Sequence, residues 1–165
     1  MPDRKDWKPT ISAGIVLYRA EKGLEVLLAH FGGPKWEKVE KHCWTIPKGI
    51  VEYPEEPYKA ALREFGEETG TILLPSEKHI SLGSAISPQT GKTVMAWAAE
   101  CPQDYEPVEH FQSNTCRITD PSDPSNKIVI GEVSKIQWFP IGQVTGKVLD
   151  YQLEFFARLL LAFKR

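Results

Sequence analysis

Three glutamates in the stretch GIVEYPEEPYKAALREFGEETG, Gly49 to Gly70, have the type and spacing to do chemistry. On a helix with about 3.6 residues per turn, Glu64 and Glu68 lie one turn apart and Glu67 falls beside them. All three then share roughly a third of the circumference. Carboxylates that close repel one another, so the arrangement gives a structural helix no stability. One account is a solvated acidic face, partly neutralised by Arg63 against Glu67 at i, i+4. The other is a half-site for a hard divalent cation, which pairs a few carboxylates with water and substrate phosphate. Lys48 and Gly49 stand at the mouth of the preceding turn, where Lys48 offers a positive charge to an anion. Helix geometry alone leaves both accounts open.

The elements that must position these residues are legible around them. Pro57 suits the first turn of a helix, where its missing N–H costs nothing. Tyr58, Ala61, Leu62, Phe65 and Thr69 then form one core-facing stripe, and Gly70 closes the helix in a left-handed cap. Gly66 is the blemish, costing roughly 1 kcal/mol against alanine in a helix interior. Residues 11–18, 25–30, 80–86, 92–100 and 134–139 read as strands, and WTIP (Trp44 to Pro47) as a short strand that Pro47 ends or places at a sheet edge. Cys101 to Gly131, rich in Pro, Asp, Ser and Asn, reads as a long, partly irregular excursion, a length that in a compact domain signals function or mobility. Leu149, Leu153, Phe156, Leu160 and Phe163 predict a second amphipathic helix at the C-terminus. Strands mixed with two helices predict one α/β domain over residues 1–165, with a mixed β-sheet between helices.

The bulk numbers restrict the class. A chain of 165 residues buries a real core without staples. The net charge of -2 argues against wholesale binding to nucleic acid or an acidic membrane. Cys43, Cys101 and Cys116 are an odd, widely spaced set with no C-x-x-C pair, so they read as reduced thiols. MPDRKDWKPT lacks the apolar run of a signal peptide, and no apolar stretch is long enough to span a bilayer. A cytoplasmic protein is the expectation.

Gly49, Glu55, Arg63, Glu64, Phe65, Glu67, Glu68 and Gly70 together resemble the signature of the Nudix family: Gly, five residues, Glu, seven residues, Arg-Glu-apolar-any-Glu-Glu-any-Gly. The position after Gly70, apolar in the signature, is Thr71. SAGIVLYR before this segment, the W-T-I-P-K-G run and Gln137-Trp138-Phe139-Pro140 are similar to the equivalent parts of MutT-like domains. The resemblance implies an α/β/α sandwich. It also implies metal-assisted attack of water on a nucleoside diphosphate linked to another group, with Mg²⁺ as cofactor and Mn²⁺ as a substitute.

Carried over residue by residue, the resemblance makes Glu64 and Glu68 principal metal ligands. Glu67 becomes a further ligand or the group that orients or deprotonates the water. Arg63 would hold the carboxylate rotamers, Glu55 and Gly70 would support the site, and backbone carbonyls at Lys48 or Gly49 would complete the coordination. A glutamate from outside the signature is expected in a loop before a late strand; Glu132, six residues before Trp138, fits that place ahead of Glu100. Lys48 is the candidate phosphate contact. Trp36, Trp44 and Phe31 either stack a base or pack, and Trp44 is taken with Lys48 as substrate-binding. His30 and His42 lack the spacing of a triad or zinc site. Glu56 is left as a solvated charge.

For the substrate, W-T-I-P-K-G is closer to relatives that cleave dinucleoside polyphosphates or diphosphoinositol polyphosphates than to the nucleotide-sanitising branch. No tyrosine occurs between Ile72 and Glu100, where the first of these groups often has one, and Pro88 lies near where ADP-ribose hydrolases often have a proline. A small-molecule, nucleotide-type diphosphate is the expected partner, with ADP-ribose and nucleotide sugars as alternatives. A binding module that kept this fold without the activity is the competing class, and the intact acidic set argues against it.

Overall fold

The computed structural model of the protein describes residues 10–164. The segment that bore on a signal peptide, residues 1–9, lies outside them. Alternation decides the architecture. In β1 (Ile11–Arg19), Ala13, Ile15 and Leu17 point to one side of the sheet. There they pack with Ala60, Ala61, Leu62 and Phe65 of α1 (Pro57–Thr69). Val16 and Tyr18 point to the other, against Phe155, Phe156 and Leu159 of α2 (Leu153–Phe163). A strand buried on both faces has to be apolar nearly throughout, which is why ISAGIVLY reads as a continuous run. The expected sandwich of a mixed sheet between helices is the fold.

The sheet runs in the order β3-β2-β1-β6-β5, where β2 is Glu25–Phe31, β3 Trp44–Thr45, β5 Ile80–Ile86 and β6 Thr93–Glu100. β1 and β6 are parallel from Ile11↔Thr93 to Tyr18↔Glu100, and the other pairs are antiparallel. β9 (Val133–Pro140) pairs β2 along its length. Among the described residues, no helix is long and apolar enough to cross a membrane. The three cysteines are free.

Three expected elements are corrected. WTIP is not one strand: β3 ends at Thr45, and a new strand, β4 (Lys48–Ile50), starts after Pro47. The 101–131 excursion is largely ordered, with a 3-10 turn at Pro107–His110 and a hairpin of β7 (Thr115–Asp120) and β8 (Asp123–Gly131). The C-terminal helix starts at Leu153, because residues 150–152 form a 3-10 turn.

The split of WTIP has a physical cause. β1 and β2 pair only at Tyr18↔Val26 and Arg19↔Glu25 and then diverge. The 44–50 segment fills the gap, its first half pairing β2 and its second half β1. Pro47 has no N–H to give a ladder, but its carbonyl accepts from Ile15 N at 3.1 Å. Gln152, fully buried, ties the break down. Its Oε1 accepts from Ile46 N at 3.0 Å, and its Nε2 donates to Thr45 Oγ1 at 2.8 Å. Gln152→Ala would strand the Ile46 N–H, a cost of about 1–3 kcal/mol. Calorimetry should show Tm lowered on the order of 5 °C. An unchanged Tm would mean that the wedge holds without Gln152.

Candidate active site

Glu64 and Glu68 are buried, each 8% exposed, whereas Glu56 and Glu67 face solvent. A solvated acidic face is therefore ruled out for two of the three carboxylates. They lie under β4. A Cβ on Gly49 would overlap the Glu64 carboxylate, so only glycine lets the strand pass this close. Glu68 Oε2 accepts a hydrogen bond from Lys48 N at 3.0 Å. At its C-terminal end α1 is stopped by Gly70 at φ 82°, whose N–H reaches Gly66 O at 2.9 Å.

Arg63 organises the rest. Its Nε and Nη2 grip both oxygens of Glu55 at 2.8 and 2.9 Å, a bidentate pair with Glu55 anchored to the turn by its own N–H on Glu52 O. Nη1 donates to Glu64 Oε1 at 2.8 Å and to both Glu67 oxygens at 3.2 Å, and Nη2 also reaches Ile50 O at 3.1 Å. The Arg63 pairing, with Glu55 first, holds its guanidinium above its ordinary pKa and the Glu55 carboxyl below the usual range.

Burial works the other way on the two inner carboxylates. Desolvation raises Glu64, against the pull of Arg63, and Glu67 and Glu132 push it further. Glu68 is pushed up to about 8 by burial, opposed by the Lys48 backbone N–H and ammonium and reinforced by Glu64 and Glu132. Burial also draws the Lys48 ammonium down, countered by Glu68 and Glu64. Among the described residues, no three His, Cys, Asp or Glu side chains are gathered closely enough to hold a metal ion by themselves. Arg63 keeps Glu67 on the outer side, beside Lys59 and Leu62. The donor set nonetheless fits a hard cation: two under-neutralised buried carboxylates with Glu132 near enough to repel both, next to a bare glycine backbone.

Lys48, Glu68 and Glu132 line one cavity of about 290 Å³ together with His30, Phe31, Trp36, Thr45, Cys116 and Ile130. Glu100 lines a different cleft, with Arg19 and His79, so the structure separates the two candidates for the outside glutamate. Trp44 is the correction. It is 6% exposed and packed edge-on against Phe139 and His30, with no face left for a substrate. Trp36 and Phe31 occupy the wall instead. His30 is structural, its Nδ1 hydrogen-bonded to Phe31 O and Ser134 Oγ. Cys116 and Ile130 were missed, because their only signal was the apolar alternation of an unrecognised hairpin.

An acidic helix thus packs under the glycine of β4 on an α/β/α sandwich. The family model for the NUDIX domain matches residues 8–161. The chain belongs to the Nudix family, and it is a hydrolase acting on pyrophosphate bonds. Its fold is shared by a C. elegans Ap4A hydrolase in a binary complex, at 19% identity and TM-score 0.64 over 94% of this chain and 98% of that one. The NUDIX domain of Shewanella oneidensis NrtR, complexed with ADP-ribose, is similar at 18% identity and TM-score 0.63 over 98% and 93%. A mutT/nudix protein of Listeria innocua is similar at 18% and 0.64, covering 96% of each chain. At these identities the likeness is one of fold.

The raised Glu68 carboxyl sets a pH dependence. With chelator present, its proton is held in the folded chain up to about pH 8 but lost from the unfolded chain near 4.5. Its contribution to stability is therefore full below about 4.5 and disappears as pH rises through about 8. Melting curves between pH 5 and 8 should fall less steeply for Glu68→Gln than for wild type; parallel slopes would contradict the buried, raised carboxyl.

Proposed function

We propose that the chain acts as a single Nudix domain and is a metal-dependent pyrophosphohydrolase. Its substrate is a nucleoside diphosphate linked to another moiety, with dinucleoside polyphosphates the leading class. One observation carries this reading: two carboxylates are buried against the β4 backbone, and one of them, Glu68, lines a cavity together with Lys48 and a third glutamate, Glu132. Glu64 and Glu68 would hold a divalent cation, Mg²⁺ or its substitute Mn²⁺, with Glu67 and the Gly49 carbonyl close by. When bound, the cation supplies Lewis acidity toward the diphosphate and the attacking water.

The chain's own residues do the remainder. Lys48 takes a phosphate oxygen; burial draws its ammonium pKa down, and Glu68 and Glu64 oppose that. Glu132, on the cavity wall, accepts a proton as water attacks phosphorus and the P–O anhydride bond breaks toward the leaving phosphate. Glu67 is the alternative acceptor and lies on the Arg63 side. Arg63, fixed by Glu55, bridges the Glu64 and Glu67 carboxylates and offsets their mutual repulsion. The C. elegans Ap4A hydrolase and the ADP-ribose-bound S. oneidensis domain share the fold, and both Ap4A, in the name of the first, and the ADP-ribose bound to the second carry a nucleoside diphosphate extended by a second group.

Glu64→Gln and Glu68→Gln should each lower Mg²⁺-dependent turnover by at least about a hundredfold while leaving the circular dichroism intact. Near-wild-type rates in both would remove the catalytic assignment. Glu132→Gln should slow turnover more than Glu100→Gln, and the reverse order would put the wrong glutamate on the substrate. The assay is a panel of dinucleoside polyphosphates, ADP-ribose, nucleotide sugars, nucleoside triphosphates and diphosphoinositol phosphates. Activity on none would favour the binding module.

A further inference from the structure

We propose that Ser113 is a positioning residue, whose hydroxyl fixes the junction between β8 and β9 and thereby aims the Glu132 carboxylate into the cavity. This rests on the reading above of Glu132 as the proton acceptor. Glu132 is the one residue between the two strands, since β8 ends at Gly131 and β9 begins at Val133. Gly131 still pairs Thr115 in the hairpin, and Val133 already pairs Phe31 of the main sheet. Backbone groups at such a change of sheet fall between two ladders and need partners from elsewhere.

Those partners come from two directions. Gly32 N donates to Glu132 O at 2.9 Å, and Glu132 N donates to Asn114 O at 3.0 Å. Val133 N donates to Ser113 Oγ at 3.0 Å, the one side-chain acceptor of the three. Ser113 Oγ in turn donates to Asn114 O at 2.8 Å, the carbonyl that already takes the Glu132 N–H. Two successive residues of the junction are thus clamped to two successive residues, 113 and 114. Asn114 N carries the clamp to Glu67 O of α1 at 2.7 Å.

The clamp matters because nothing in the protein holds the carboxylate itself. Among the described residues the Glu132 side chain makes no hydrogen bond or ion pair, so its reach into the cavity depends on where the backbone places its Cα. A reacting group misplaced by about 1 Å costs on the order of a hundredfold in rate. Ser113 stands outside the cavity wall and acts only through that backbone. Its hydroxyl is used in both senses, accepting from Val133 N and donating to Asn114 O. Threonine can do both, alanine neither, and cysteine both only weakly. Val133 is 5% exposed, which leaves little water to replace a lost acceptor.

The test is steady-state kinetics with Mg²⁺ on Ap4A, or on ADP-ribose if wild type cleaves only that, with amide hydrogen exchange on the same proteins. Ser113→Ala should lower kcat about tenfold or more with KM changed less than about threefold, and Ser113→Thr should restore kcat to within about threefold of wild type. Placed on Glu132→Gln, Ser113→Ala should add less than about a twofold loss, because the group it aims is gone. A further loss of the full size on that background would overturn the proposal, as would an unmoved kcat in Ser113→Ala while Glu132→Gln is slow. Exchange reads the clamp without turnover. The Val133 amide should exchange at least about tenfold faster in Ser113→Ala and not in Ser113→Thr, and an unchanged rate would remove the clamp. Should Ser113→Ala fail to fold, Ser113→Cys, close to serine in size, takes its place with the same expectations. If Glu132→Gln keeps the wild-type rate, or wild type cleaves neither substrate, the reading of Glu132 fails and the proposal falls with it.

Discussion

The burial of the Glu64 and Glu68 carboxylates beneath β4 is the constraint around which the molecule is arranged. Withdrawing a carboxylate from water costs several kcal/mol unless a partner compensates. The partners present are incomplete: one guanidinium N–H for Glu64 and one backbone N–H for Glu68. The shortfall shows in the raised pKa of both. These two carboxylates are the pair proposed to hold a cation, and the rest of the fold keeps them in place. Gly49 yields the space, Arg63 restrains the rotamers, and the divergence of β1 from β2 brings β4 over the helix.

The same helix fixes the distant glutamate. The final carbonyls of an α-helix have no partner within it. In α1, Glu67 O is satisfied by Asn114 N at 2.7 Å and Thr69 O by Gln112 N at 3.0 Å. Asn114 O in turn accepts from Glu132 N at 3.0 Å. A short strap thus registers Glu132 against the acidic helix by backbone hydrogen bonds, with Ser113 Oγ accepting from Val133 N at 3.0 Å beside them. Gly70 allows the strap to close, since a Cβ there would sit 2.8 Å from His110 O.

Legibility in the sequence followed the physics of each element. α1 was plain because a 3.6-residue apolar stripe, Pro57 and Gly70 agreed on its position. The Glu55–Arg63 pair and the place of Glu132 came with the family resemblance rather than from spacing alone. What failed was read from local composition where tertiary context decided. Trp44 seemed a substrate contact, yet it packs between His30 and Phe139 because β3 lies inside the sheet. The β7–β8 hairpin was hidden because an exposed two-stranded ribbon needs few apolar residues. Its Asp, Ser and Asn, which bond to their own turns, looked like loop. Gln152 gave no signal at all, since its function is to satisfy a strand break more than a hundred residues away.

The proposed cation site is tested most directly by titrating Mn²⁺ into the chelator-treated protein at pH 7, by calorimetry in two buffers of different ionisation enthalpy. With Glu68 raised to about 8, most folded molecules carry its proton at that pH and must release it when the carboxylate becomes a ligand. The account predicts saturable binding with release of a sizeable fraction of one proton per cation, lost in Glu68→Gln. Saturable binding with no proton release, or release undiminished by that substitution, would contradict it.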